Sequence, residues 1–381
     1  MELQNTGISK IIMALSFSQA ETLFKQDRLN DLCMDSGGRR FLKLRSMSRT
    51  EYLRHLFQYA EISQPDVNAR ELFKVAFESN IPIKTIEACI REIYREGYEQ
   101  RRAREDDLLN QLYRVQEFNW GGLYQNSLER TIVDNYVKKI TDYETLCQCI
   151  KNELFVSMRG YVICSWYNHW TSIIIEDIFK GHPNVLPAVG LVKKIDFFVR
   201  DVPFDLKVTY LPEDYLAQKR RAAKQRPEIT LLKQAIRLYN LPVPGDLVSS
   251  DLLQDLWTKV ADHPSHDCQE LISQILDFRN SVVNEIERDP DDLIRWLYEN
   301  QGERRFDASN RLFVILVDQR NYFESWKLKR AKSLMETKIH KYLDNCDSSP
   351  GRRITFEWKG NNYTTISDVL VIRQSQQLTG G

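Results

Sequence analysis

The chain has 381 residues, and its 53 Lys and Arg are balanced by 53 Asp and Glu, so its formal net charge is zero. This balance excludes a uniformly basic nucleic-acid-binding protein and an acidic disordered chain. Apolar residues make up 42% and aromatic residues 11%, which is enough for a large buried core. The length suggests roughly two to three structural units.

No stretch reaches the ~18 apolar residues that a membrane span needs, so no membrane association is expected. The N-terminus begins Met1-Glu2-Leu3-Gln4 and lacks the basic and apolar segments of a secretory signal. The seven cysteines are odd in number and contain no Cys-x-x-Cys pair, which favours a reducing compartment. These features together predict a cytoplasmic protein.

The first third of the chain has apolar residues at helical spacing, and Trp120-Gly121-Gly122 is a plausible boundary. Residues 1–122 are therefore expected to form a helical unit, for which DNA binding, dimerisation and a scaffold role are all open. Within it, residues 72–97 have the pattern of a helix-turn-helix, with a turn at 79–82. Lys84 and Arg91 would then face outward toward DNA, although an ordinary helical hairpin satisfies the same spacing.

Residues 125–180 again read as mostly helical, ending in a helix over 165–180. Two β-branched and aromatic runs follow, at 191–199 and 204–211, and the intervening Arg200-Asp201-Val202-Pro203 predicts a tight turn between two strands. Residues 212–308 return to helical periodicity. The unbroken apolar run 312–317 is typical of a strand buried on both faces.

The C-terminal part predicts a helix over 322–343 and a hairpin formed by 354–359 and 363–372. The tail 374–381 is expected to be flexible. The order of elements predicts an α/β (α+β) core over 123–373, in which a mixed sheet is flanked by helices. A helical insertion at about 212–308 interrupts this core.

The informative chemistry lies on the two strands at 191–211. Because strand side chains alternate, Asp205 and Lys207 project from one face, and Asp196 can approach Asp205 if the strands pair. Glu176 precedes them within the apolar run 173–179, where a carboxylate is costly unless it is paired or bound to metal. Converging carboxylates suit Mg²⁺, and an adjacent lysine can orient water or offset phosphate charge.

The series Glu176, Asp196, Asp205 and Lys207 resembles the PD-(D/E)xK nuclease superfamily, and within it a type II restriction endonuclease. The resemblance covers about 165–211 closely and 309–373 loosely. It implies a restriction-endonuclease-like fold in which Asp196, Asp205 and Glu176 hold Mg²⁺ and Lys207 positions the attacking water. It also implies a homodimer that cuts double-stranded DNA. One departure is Ile195, where the superfamily pattern has proline.

Other interpretations of these residues remain open. The acid-x-Lys pattern occurs again at Glu336-Thr337-Lys338, on an amphipathic helix, and at Glu357-Trp358-Lys359, at a hairpin end. Asp196, Asp205 and Lys207 could instead form an ordinary cross-strand ion pair on a surface hairpin. Alternative functions are a repair, phage-defence or modified-base-dependent nuclease, or a non-catalytic DNA-binding protein. The sequence has no Walker A loop and no Gly-x-Gly-x-x-Gly, so no nucleotide cofactor is expected.

The neutral net charge conceals an asymmetry along the chain. Residues 190–237 contain 11 Lys and Arg against 6 Asp and Glu, whereas residues 238–308 contain 6 against 15. The basic excess is densest just after the second strand, where it could neutralise backbone phosphates. The residues expected to contact DNA there are Lys219, Arg220, Arg221, Lys224 and Arg226. The acidic segment would repel DNA and is expected to face away from it or to form a subunit contact.

Overall fold

The computed structural model describes residues 14–26, 28–120, 130, 132–190, 192, 194–242, 249–300, 309–346, 350–358 and 360–374. Among the parts predicted above, the tail beyond residue 374 and the first residues of the N-terminal unit lie outside this range. Gln374 itself belongs to a strand rather than to the tail.

Helices form the N-terminal unit, as predicted from the periodicity. Several begin at a side chain that accepts a hydrogen bond from the first turn, including Ser16, Asp35 and Asn68. The helices are α1 (Phe17–Lys25), α2 (Leu29–Met34), α3 (Ser36–Arg45), α4 (Thr50–Tyr59), α5 (Ala69–Glu78), α6 (Ile83–Arg102) and α7 (Glu105–Leu112).

A second helical stretch leads into the sheet. It consists of a π-helix (Val133–Val137), α8 (Tyr143–Cys149), a second π-helix (Ile150–Leu154) and α9 (Phe155–Lys180). Helix α9 has 26 residues and begins ten residues before the helix predicted at 165–180. The longer extent follows from the apolar and aromatic residues of 155–164, which continue the helical pattern.

The sheet strands are β1 (Val185–Pro187), β2 (Phe197–Val199), β3 (Val202–Tyr210), β4 (Arg311–Asp318), β5 (Arg352–Trp358) and β6 (Asn361–Gln374). Within the described residues they form one mixed sheet in the order β1-β2-β3-β4-β6-β5. Strand β2 is antiparallel to both β1 and β3, whereas β4 lies parallel to both β3 and β6. The predicted C-terminal hairpin is confirmed as the antiparallel pair of β5 and β6.

Three sequence predictions about the bounds of elements needed correction. The first strand is shorter than the predicted 191–199: β2 comprises only Phe197–Val199, and the unpredicted β1 lies before it. The turn consists of Arg200 and Asp201 alone, with Arg200 at φ 58°, because a two-residue hairpin requires a left-handed residue. The single helix predicted at 322–343 is a 3₁₀-helix (Tyr322–Arg330) followed by α15 (Lys332–Asp344).

The predicted insertion is confirmed as helical, and its described part contains five helices between β3 and β4. They are α10 (Glu213–Ala222), α11 (Glu228–Leu238), α12 (Ser249–Ala261), α13 (His266–Arg288) and α14 (Asp291–Asn300). The last three lie in the acidic segment, and α13 is capped by Ser265, whose hydroxyl accepts from the Cys268 amide.

Strand β4 is buried on both faces, as its apolar run predicts. Leu312, Val314 and Leu316 pack with α9 and α15 on one face of the sheet. Phe313, Ile315 and Val317 point to the opposite face and pack with α10, α13 and α14. The N-terminal helices have their own core, which Leu186, Ile195 and Phe198 of the β1–β2 region close. The N-terminal unit is therefore packed directly against the strands that carry the candidate site.

Candidate active site

Strand β3 places two of the expected residues side by side. Lys207 Nζ donates a hydrogen bond to Asp205 Oδ1 over 2.6 Å, because residues two apart on a strand share one face. The Asp205 side chain is 14% exposed, whereas that of Lys207 is 37% exposed. The ammonium group therefore lies at the solvent edge of a largely buried carboxylate.

Asp196 lies immediately before β2 and faces the same part of the sheet. Its amide donates to the Phe204 carbonyl over 2.8 Å, and one carboxylate oxygen accepts from the Leu206 amide over 2.7 Å. These two bonds fix Asp196 across the ladder from Asp205. Burial, together with the nearby negative charges of Glu176 and Asp205, raises the pKa of Asp196 to about 6.

Helix α9 contributes the third acid. Glu176 is paired with Lys180 one turn later, over 2.7 Å, and its charge acts on Asp196. Lys180 also lies close enough to Asp196 to offset part of this repulsion. Lys180 was not singled out from the sequence, although its position one helical turn after Glu176 is a signal for such a pair.

The residue after Glu176 has a different role. Asp177 is buried and accepts hydrogen bonds from the Tyr94 hydroxyl over 2.7 Å and from Arg101 over 2.7 and 2.8 Å. Both donors belong to α6, so Asp177 links the N-terminal unit to α9. This link depends on residues about eighty positions away and could not be found from local sequence.

A buried arginine lies behind Asp205. Arg311 of β4 is in register with Asp205, and its guanidinium Nε lies 3.6 Å from Asp205 Oδ2. The guanidinium also lies over the Tyr298 ring, 5.0 Å from its centroid. Asp205 is thus flanked by two cations, one exposed and one buried. Arg311 is a site residue that the sequence analysis missed, because its proximity is set by the parallel pairing of strands a hundred residues apart.

The chemistry of these side chains suits a hard cation. Asp196, Asp205 and Glu176 offer only carboxylate oxygens, which are the ligands that Mg²⁺ prefers. The burial of Asp196 beside the negative charges of Glu176 and Asp205 is the electrostatic condition that a bound divalent cation would relieve. In the part of the chain that the structure describes, no three His, Cys, Asp or Glu side chains are grouped closely enough to form a metal site.

The basic residues after β3 divide into two groups. Lys219 is paired with Glu285 and Asp292 of the acidic segment, over 2.8 and 2.7 Å. Arg220 is buried, lies over the Phe278 ring and donates to the Arg226 carbonyl. The expectation that Lys219 and Arg220 contact phosphate is therefore corrected: both hold α10 against the later helices of the insertion. Arg221, Lys224 and Arg226 are exposed and are available to a ligand.

The helix-turn-helix predicted at residues 72–97 is also confirmed only in part. Ala76, Ile86 and Cys89 are buried between α5 and α6 as that pattern requires. Lys84 is exposed, but the Arg91 guanidinium donates to the carbonyls of Val185 and Pro183. Arg91 thus fastens α6 to the β1 region and is not directed outward as expected, because these two carbonyls accept its hydrogen bonds. Lys84, on the same face of α6, stays exposed.

No protein-family model matches the chain, and comparison with curated proteins and with solved structures gives no significant match. The fold and the geometry of the site are therefore the basis for assigning a function. Across the described ranges, no helix combines the length and apolar character that crossing a membrane requires.

Proposed function

We propose that this chain is a Mg²⁺-dependent endonuclease that hydrolyses phosphodiester bonds in double-stranded DNA, as a sequence-specific type II restriction enzyme does. The observation that carries the proposal is the arrangement of Asp205 and Lys207 on one face of β3, with Asp196 held opposite them by the Leu206 amide. This arrangement brings an acid pair and an ammonium group together on one face of the sheet, at the strand that lies between β2 and β4.

The order of elements supports the same proposal. An acid-bearing helix precedes antiparallel strands that carry Asp196, Asp205 and Lys207, and a later buried strand lies parallel to the second of them. This is the order that the resemblance to the PD-(D/E)xK superfamily implies. The five insertion helices depart from a minimal core, but they leave the pairing of β3 with β4 intact.

Each side chain has a distinct part in the proposed chemistry. Asp196 and Asp205 would hold the cation, with Glu176 completing its surroundings. When bound, Mg²⁺ would polarise the phosphate and favour deprotonation of water. Lys207, which reaches solvent beside Asp205, would position the attacking water in line with the scissile bond and offset charge developing on the phosphate. Arg311 would orient Asp205 from the buried side.

The experiment is cleavage of supercoiled plasmid DNA by the full chain, with Mg²⁺ and with EDTA. The wild-type chain should give discrete products with Mg²⁺ and none with EDTA. Asp205→Asn should abolish cleavage, while Glu336→Gln, which changes an exposed acid in another acid-x-Lys sequence, should leave it unchanged. Cleavage by Asp205→Asn at the wild-type rate would refute the assignment, and DNA binding without any product would instead support a non-catalytic protein.

A further inference from the structure

The N-terminal half of α9 carries an unusual concentration of exposed apolar side chains. Phe155, Met158, Val162 and Trp166 recur at spacings of three and four residues, so they lie along one face of the helix. We call this set the apolar stripe. Its side chains include Phe155, which is 67% exposed, and Val162, which is 58% exposed.

The stripe lies on the side of α9 opposite to the protein core. Cys164, Tyr167 and Thr171 are buried at positions that define the inner face of the helix. The Tyr167 hydroxyl donates to the Trp326 carbonyl, and its ring packs against Phe118 and Trp326. Helix α9 is thus apolar on both faces, a pattern that ordinarily belongs to a helix covered on all sides.

Composition points to a protein surface as the covering partner. From Phe155 to Ile175 the sequence contains a single charged side chain, Arg159, and no Lys, Asp or Glu. The centres of protein–protein interfaces are depleted in these three residues and enriched in aromatic residues, Met and Arg. Nucleic acid is disfavoured at this surface, because the single cation of this segment cannot neutralise a series of phosphates.

The exposed area is of the size that two copies of a chain would need. Val156 on α9, and Ile150 and Tyr143 in the helical segments that lead into it, are also exposed. Because a fully exposed aromatic side chain offers roughly 150–250 Å², the exposed fractions of these residues together leave several hundred Å² per chain, which is a substantial part of the ~800 Å² per partner of a stable interface. A straight helix face is also self-complementary, since a twofold axis across it brings identical residues into contact.

We propose that the apolar stripe of α9 is the contact surface between two copies of this chain. The stripe and the candidate active site lie on the same helix, with Glu176 ten residues beyond Trp166. At 1.5 Å per residue this separation is about 15 Å. Association through the stripe would therefore fix the position of one site relative to the other through a single rigid element.

The test is sedimentation equilibrium of the full chain over a range of concentrations, without DNA or metal, so that its result is independent of cleavage. The wild-type chain should sediment with the mass of two chains. Val162→Glu should raise the dimer dissociation constant by about a hundredfold or more, because twofold symmetry buries two uncompensated carboxylates. Trp166→Gln should raise it by about tenfold without adding charge.

The matched control is Met34→Glu, which places the same charge at an exposed apolar side chain on α2, 80% accessible and outside the stripe. This variant should remain dimeric, and circular dichroism melting should show that all three variants are folded. A wild-type chain that stays monomeric overturns the proposal. So does a dimer that Val162→Glu and Met34→Glu weaken equally.

Discussion

The carboxylate of Asp196 accepts a hydrogen bond over 2.7 Å from the amide of Leu206, the β3 residue that separates Asp205 from Lys207. This bond ties the residue that precedes β2 to the strand that carries the other acid and the lysine. It holds Asp196 near two further carboxylates, so part of the cost of assembling the site is electrostatic repulsion.

Lys207 is predicted to act in catalysis and not in folding. Lys207→Ala should lower plasmid cleavage by roughly 10²- to 10³-fold, because it removes a cation that would stabilise developing charge. Its side chain is partly exposed, so the free energy of unfolding should change by less than about 1 kcal/mol. Cleavage rates and urea denaturation measure the two effects. Lys338→Ala, in the acid-x-Lys sequence of α15, is the control and should affect neither.

Asp196 is predicted to lower the stability of the metal-free protein. Its pKa is raised from 3.8 to about 6, so its folded form binds a proton more readily than its unfolded form. This group therefore lowers the free energy of unfolding progressively as pH rises from about 4 to about 6, and the loss is complete above that range. Asp196→Asn removes this penalty but weakens the hydrogen bond with the Leu206 amide. The net effect in EDTA at pH 7 should be a gain of about 1–2 kcal/mol in the free energy of unfolding.

The measurement is urea denaturation in EDTA at pH 7 and at pH 4. The difference in free energy of unfolding between Asp196→Asn and the wild-type chain should shrink toward zero at pH 4. Asp277→Asn, at an exposed position within α13, should give the same stability as the wild-type chain at both values. If the Asp196→Asn variant is less stable than the wild-type chain at pH 7, the prediction that ionised Asp196 destabilises the metal-free protein is wrong.

Glu176 and Asp177 are adjacent but should respond in opposite ways. Asp177→Ala removes the acceptor of Tyr94 and Arg101 and should lower the free energy of unfolding by roughly 2–3 kcal/mol. Glu176→Ala removes a helix-surface pair with Lys180 and one of the negative charges near Asp196, so it should cost less than about 1 kcal/mol. The effect on cleavage should be reversed: among the folded molecules, Glu176→Ala should lose more cleavage activity than Asp177→Ala. Equal loss of stability in the two variants would contradict this division.

DNA binding should depend on the exposed basic residues after β3. Arg221→Gln and Arg226→Gln should each reduce the slope of log binding constant against log salt by about 1, as expected for loss of one phosphate contact. Binding is measured by fluorescence anisotropy on duplex DNA in EDTA. Lys233→Gln, at an exposed position on α11, is the charge-matched control and should leave the slope unchanged.

Arg220 provides the contrast within the same basic run. Because its side chain is buried between Phe278 and Glu228, Arg220→Gln should act on stability, with a loss of roughly 1–3 kcal/mol, and should leave the salt slope unchanged. A salt slope that falls by as much as in Arg221→Gln would show that Arg220 reaches DNA.

Local pattern was sufficient to predict the central strands and their shared face. Alternation alone places Asp205 and Lys207 on one side of β3, and an unbroken apolar run predicts that β4 is covered on both faces. The short β1 was not predictable in the same way, because three residues carry too little periodicity to distinguish a strand from a loop.

The sequence by itself determined which residue types could form a metal-dependent site and the order in which the chain presents them. The tertiary structure decided which charged residues remain available to form that site. Glu176 and Asp177, or Arg220 and Arg221, are neighbours of the same charge, and only distant partners such as Arg101 and Phe278 distinguish them. The physical reason is that burial and ion pairing depend on surfaces brought together from far along the chain, whereas alternation and helical spacing depend on neighbours alone.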